Sequence, residues 1–130
     1  MKGIELVFLL IGGMIGVYLR YRMTGQPATI GSLPVNVLLV NILGSFMLGA
    51  FSILAISWSL DAKYALLVAV GFCGSFTTMS SFALDTVNLI DHRQIETAII
   101  NIFANISLSI AAVIAGRTLI NTLLELLTLH

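Results

Sequence analysis

The chain has 130 residues, 58% of them hydrophobic and 9% charged, with a mean hydropathy of +1.07 and a formal net charge of zero. That balance excludes an ordinary soluble domain and leaves no basic face for nucleic acid and no acidic tail. A single cysteine, Cys73, excludes an intramolecular disulfide or a paired-cysteine metal site, and His92 and His130 stand at segment ends without ligand spacing, so metal-hydrolase and nucleophilic-triad readings have no residues to rest on.

In chain order, the first apolar segment runs from about Ile4 to Leu19 and contains Gly12, Gly13 and Gly16, a spacing suited to close helix–helix contact. It is long, is followed by Arg20 and Arg22, and lacks a small-residue cleavage pattern, so it reads as a retained span rather than a signal peptide. A polar loop is expected from Arg20 to Pro34. The second segment covers about 35–58 and ends on Trp58, well placed as an interfacial anchor. A short turn, residues 59–63, leads to a third segment over about 64–90. The fourth covers about 95–115, and the tail from Gly116 onward is expected to continue as a helix leaving the membrane. Each segment meets the requirement of roughly 20 residues for crossing the hydrocarbon layer. The prediction is one all-α domain over residues 1–130: an integral membrane protein with four transmembrane helices, multi-pass in the cell (plasma or inner) membrane.

The third segment is the unusual one. Between Gly71 and Asp85 it holds two glycines, the hydroxyl residues Ser75, Thr77, Thr78, Ser80 and Ser81, and a carboxylate. Glycine lowers the cost of leaving helical geometry, and Ser and Thr can bond the backbone groups so freed. Irregular backbone at membrane depth is tolerated only where protein buries it or a watery path adjoins it. The stretch therefore reads either as a helix broken mid-membrane beside a polar path or as a small-residue packing face.

Other polar residues at depth are costly and mark pathways or helix–helix bonds. Asn41 stands alone among aliphatic neighbours and could bind an anion through its amide or bond a second helix. Asn101, Asn105 and Ser109 follow at i, i+4 and i+8 on one face, either as a track of donors or as an interhelical ladder. No Lys or Arg is expected deep in a span. Four spans place Lys2, Lys63 and Arg117 on one side and Arg20, Arg22 and Arg93 on the other, three against three. Without a Lys/Arg bias the chain should insert both ways up. Four short helices leave little room for a pore inside one bundle, so a dimer is the expected minimum unit, and an antiparallel one is possible.

At these residues the chain resembles the Fluc/CrcB family of fluoride channels. The similarity lies in Gly12-Gly13-Met14-Ile15-Gly16-Val17-Tyr18-Leu19-Arg20, in Val40-Asn41-Ile42-Leu43-Gly44-Ser45-Phe46, and above all in the run Gly71 to Phe82, similar to that family's GFCGG-aliphatic-TTFS-S/T-F signature with an acid three positions later, here Asp85. The resemblance implies a dual-topology antiparallel homodimer with two fluoride pores. It also implies a structural Na+ at the dimer centre, held by the backbone carbonyls of Gly74 and Thr77 from each copy. The family's pore positions fall on Asn41, Met79 and Phe82, with Thr78, Ser80 and Ser81 beside them, and its fourth-helix polar positions fall on Asn101, Asn105 and Ser109, which favours the track. Arg20 would sit at the vestibule. The chain departs from the pattern at Met79, where the family has its first pore phenylalanine, at Ser75 in place of a glycine, and at Asn101 and Asn105, where an aromatic and a serine are commoner.

The function so implied is passive export of cytoplasmic fluoride, conferring fluoride resistance, with no catalytic step. Two other classes compete. A proton-coupled exporter of the small multidrug-resistance type needs a carboxylate in the middle of the first span, where this chain has only Glu5 at the start. A non-conducting membrane assembly subunit would use the polar residues only to join helices.

Overall fold

The computed structural model describes residues 3–128, so Lys2 and His130 lie outside the described residues. Four helical rods, α1, α2, a segmented third rod and α6, are long and apolar enough to cross a membrane. Helix α1 spans Gly3–Thr24 and α2 spans Asn36–Ser57. The segmented rod begins with α3, Ala62–Ala65, runs through a π-helical stretch, Leu66–Cys73, and continues as α4, Gly74–Phe76, and α5, Met79–Asp91. Helix α6 spans Ile95–Thr128.

The helices outrun the apolar runs that mark them. Helix α1 continues through Arg20 and Arg22 to Thr24, whose hydroxyl donates to the Arg20 carbonyl at 2.9 Å, so both arginines belong to the helix and not to the loop. What remains of that loop folds as a small hairpin. Strands β1, Thr29–Ile30, and β2, Leu33–Pro34, pair antiparallel, with Gly31 at φ 61 in the turn, a conformation free of strain only without a Cβ. Helix ends are closed by backbone geometry. Arg93, at φ 59, lets the Gln94 N–H reach back to the Leu89 carbonyl (2.8 Å), and Ser59, at φ 47, does the same for Leu60 and Ala55 (3.0 Å).

Packing divides the rods into two pairs. In one, α1 lies against the π-helical stretch so closely that a Cβ on Gly12 would strike the Leu67 carbonyl and one on Gly71 would meet the Leu9 carbonyl. In the other, α2 runs alongside α6: a Cβ on Gly49 would strike the Val113 carbonyl, and one on Gly116 the Phe46 carbonyl. With no apolar gain from joining helices in lipid, this backbone-to-backbone fit is what dispersion forces reward. Helix α5 closes on α6 and joins the two pairs. The tightest interior lies around Val40, Cys73 and Asn101, all nearly inaccessible.

Helices α2 and α6 are parallel and in fixed register: Asn41 meets Asn105, and Ser52 meets Arg117. At about 1.5 Å per residue, α6 is roughly 50 Å long and overruns α2 at both ends. Arg117 therefore lies inside the helical rod, level with a residue five positions before the last of α2. The helix runs on through Gly116, as expected for the tail.

Candidate functional site

The site forms where the third rod departs from helical geometry. Thr77 and Thr78 are extended, at φ −75, ψ 155 and φ −149, ψ 115, and separate α4 from α5. The Thr77 N–H and hydroxyl both go back to the Cys73 carbonyl, at 3.0 and 2.9 Å. Thr78 is clamped from α2: its N–H donates to Asn41 Oδ1 at 2.8 Å, and Asn41 Nδ2 donates to its carbonyl at 3.3 Å. A primary amide presents the donor–acceptor pair of a neighbouring strand, so Asn41 satisfies an extended residue that no helix can. Gly44, one turn on, leaves the space that Thr77 Cγ2 fills.

From Asn41 a directed chain of hydrogen bonds crosses the interior. Asn41 Nδ2 donates to Asn105 Oδ1 (3.0 Å), Asn105 Nδ2 to Asn101 Oδ1 (3.0 Å), Asn101 Nδ2 to Thr86 Oγ1 (3.0 Å), and Thr86 Oγ1 to the Phe82 carbonyl (2.8 Å). Each buried polar atom along it has a partner, as burial in a low-dielectric interior requires. Thr78 also caps α5: its Oγ1 accepts from the Ser81 N–H at 3.2 Å and lies 3.1 and 3.3 Å from the hydroxyls of Ser81 and Ser80.

Beside this network runs an open groove of about 410 Å³. It gathers eight of the positions singled out in the sequence: Asn41, Gly74, Thr77, Thr78, Met79, Phe82, Asn105 and Ser109. Asn101 lies behind Asn105, only 1% exposed. Ser80 and Ser81 adjoin the groove through Thr78 without lining it, and Arg20 is half-buried on α1, away from it. The three polar positions of α6 thus divide: the two asparagines bond to each other, while Ser109 faces the groove. Met79 is 74% exposed and Phe82 8%, so the thioether points outward at the rim and the ring forms part of the wall. Asp85 is not in the groove. It borders a separate small pocket with Ser32, Asn88 and His92.

Two contributors went unread in the sequence. Ser45 lines the groove one turn after Asn41, a placement that i, i+4 spacing from that amide would have suggested. Thr86 joins Asn101 to the Phe82 carbonyl, and it sits at i+4 from Phe82, the usual reach of a threonine back-bond.

The break also exposes backbone oxygen. The N–H that a continuing α-helix would bring to the Gly74 carbonyl, that of Thr78, goes instead to Asn41 Oδ1. Gly74 is exposed, and the extended ψ of Thr77 takes its own carbonyl out of helical register. Carbonyl oxygens suit a hard cation. Among the described residues no group of three His, Cys, Asp or Glu side chains offers a competing metal site.

A family described as CrcB-like protein, Camphor Resistance (CrcB), matches residues 7–117. A protein of Nitrosopumilus maritimus named fluoride-specific ion channel FluC is 49% identical over 125 residues, covering 96% of this chain and 99% of its own. Proteins of the same name from Pyrococcus furiosus and Methanococcus aeolicus are 41% and 36% identical, over 88% and 93% of this chain and 94% and 98% of theirs. With four membrane-crossing rods and relatives matched along nearly its whole length, the chain is a multi-pass membrane protein that belongs to the CrcB/Fluc family.

Proposed function

We propose that the chain is a passive, fluoride-selective channel working as an antiparallel homodimer with two pores, and that it lets cytoplasmic fluoride run out down its electrochemical gradient. The observation that carries the reading is the groove beside the Thr77–Thr78 break, where hydroxyls, amide edges and the Phe82 ring meet without any fixed charge. A small anion needs donors to replace its hydration shell, but donors weak enough to release it. The Thr78 and Ser109 hydroxyls are of that kind, with those of Ser80 and Ser81 adjoining through Thr78, and the positive edge of the Phe82 ring adds an uncharged contact. Helix α5 begins at Met79, on the rim of the groove, so the positive end of its dipole lies beside it.

The groove is open along one side, and Gly74 and Met79 stand exposed there. A second copy laid antiparallel over this face would turn two grooves into two closed pores. It would also bring two further carbonyls to those of Gly74 and Thr77, giving four oxygens for the structural Na+. The exporter reading lacks its central feature, because Glu5 sits in the first turn of α1 and no acid lines the groove.

Fluoride efflux from liposomes containing the purified protein alone, in Na+ medium with chloride loading as the comparison, tests the proposal. Rapid fluoride loss with little chloride leak is the expected result. A correctly folded dimer that releases no fluoride would overturn it and favour the assembly-subunit reading.

A further inference from the structure

Arg117 is a cation that the proposed pore does not yet use, and it is tied by a side chain to the helix that carries Asn41. Its Nε donates to Ser52 Oγ at 3.2 Å, and Ser52 in turn donates to the Gly49 carbonyl at 2.7 Å. Ser52 has thereby committed its proton to the backbone and offers Arg117 only a lone pair, which fixes the tilt of the guanidinium. Four of the five guanidinium N–H groups remain unengaged. Among the described residues the ion pair joins Lys63 to Asp61 at 3.9 Å, and Arg117 has no carboxylate partner.

The placement of this pair follows from helix geometry. At about 100° per residue, Ser52 falls within roughly 60° of Asn41 and Ser45 on α2, the residues that line the groove. On α6, Arg117 falls within the arc between Asn105 and Ile110, which line the opposite wall. The two groove-lining faces continue for one to two turns beyond the groove and meet at the Arg117–Ser52 bond. In line with the walls of the charge-free groove, beyond its end, stands an oriented cation without a carboxylate partner among the described residues.

We infer that Arg117, held by Ser52, forms an anion-recruiting site at the mouth of the pore, taking a small inorganic anion, fluoride, before it enters the groove. This inference rests on the channel reading. Low dielectric around the helices and the absence of a counter-charge let a single guanidinium raise the local anion concentration at the entrance. A fixed charge at the mouth speeds capture without trapping the ion, whereas the same charge beside Asn41 would hold it.

The test is fluoride flux against fluoride concentration for wild type, Arg117→Gln, Arg117→Lys, Ser52→Ala and Lys63→Gln, in zwitterionic and, separately, in anionic liposomes. It is paired with fluorine NMR line broadening of fluoride by the same purified proteins. Arg117→Gln should lower flux at low fluoride about fivefold, the size of one charge–anion contact in a water-like medium, and the loss should shrink as added salt screens it. Arg117→Lys should recover most of the loss, Ser52→Ala should show a smaller one, and Lys63→Gln should leave the curve in place. Arg117→Gln should also reduce the line broadening. A normal concentration dependence and normal broadening in folded Arg117→Gln would overturn the inference and leave the channel reading intact. An effect present only in anionic lipid would assign the arginine to a lipid headgroup and overturn it likewise. If wild type conducts no fluoride, the channel reading falls. Broadening lost in Arg117→Gln would then still establish the site, and broadening unchanged would remove both.

Discussion

At the residue scale, one amide carries two tasks. Asn41 pairs with the backbone of Thr78 on one side and donates to Asn105 on the other, so it both holds the extended residues open and anchors the buried chain to Thr86. Replacing it by Leu removes the clamp and leaves the Thr78 N–H without a partner, a penalty of about 1–3 kcal/mol. Asn41→Leu should therefore lose both stability in a detergent-unfolding series and fluoride flux. Asn101 is buried behind the groove, and Asn101→Leu should cost about 1 kcal/mol, the scale of a polar contact between membrane helices, while flux falls far less. Equal flux losses in the two variants would mean that the buried chain, and not the clamp at Thr78, sets conduction.

At the element scale, the contrast lies between the close-packed rods and the segmented one. Helices α2 and α6 touch backbone to backbone, and the fit depends on glycine at 49 and 116. A side chain at Gly49 would have to displace the Val113 carbonyl, which belongs to a rigid helix and cannot swing away. Gly49→Leu should lower stability by about 1–3 kcal/mol or more, and it should act on the groove from a distance by shifting α6 against Asn41. Thermal denaturation and flux together check this. Gly3→Ala, at a position with open space around it, is the matched control. The third rod shows the opposite economy: its π-helical stretch and extended pair are held by neighbours, with α1 pressed on the former and Asn41 bonded to the latter. Such irregularity marks the places where local sequence yields to tertiary partners.

For the whole molecule, the charge distribution bears on the proposed antiparallel pair. Lys63 and Arg117 lie toward one end and Arg20, Arg22 and Arg93 toward the other, and Lys2 at the N-terminus evens the count. A chain so balanced is open to a small push. Two lysines added to the turn at residues 59–61 should fix one orientation, because short loops carry the bias. Expressed alone, that variant should lose fluoride efflux. Flux should return when it is produced with a second variant carrying added lysines at Gln94, biased the other way. Full activity of a chain locked in one orientation would rule out the antiparallel arrangement.

The sequence by itself determined the four membrane rods, since long apolar runs admit little else, and it marked the third rod as irregular through its density of Gly, Ser and Thr around Thr77. It also singled out Asn41 and Ser109, because a polar group at such a position is conspicuous in one dimension, and it marked Phe82 through the family resemblance. What these groups bond to was decided only by the tertiary structure. Asn101 and Asn105 read from their spacing as a track or a ladder, with the resemblance favouring the track; the register of α2 against α6 placed Asn105 opposite Asn41, and the closure of α5 placed Asn101 opposite Thr86. In the sequence Arg117 stands only as a cation just after the fourth apolar run. Only the parallel packing of two helices of unequal length set it beside Ser52, one to two turns beyond the groove. Hydropathy reports the solvent a residue prefers, whereas register is fixed by backbone contact at Gly49 and Gly116, between residues more than sixty positions apart in the chain.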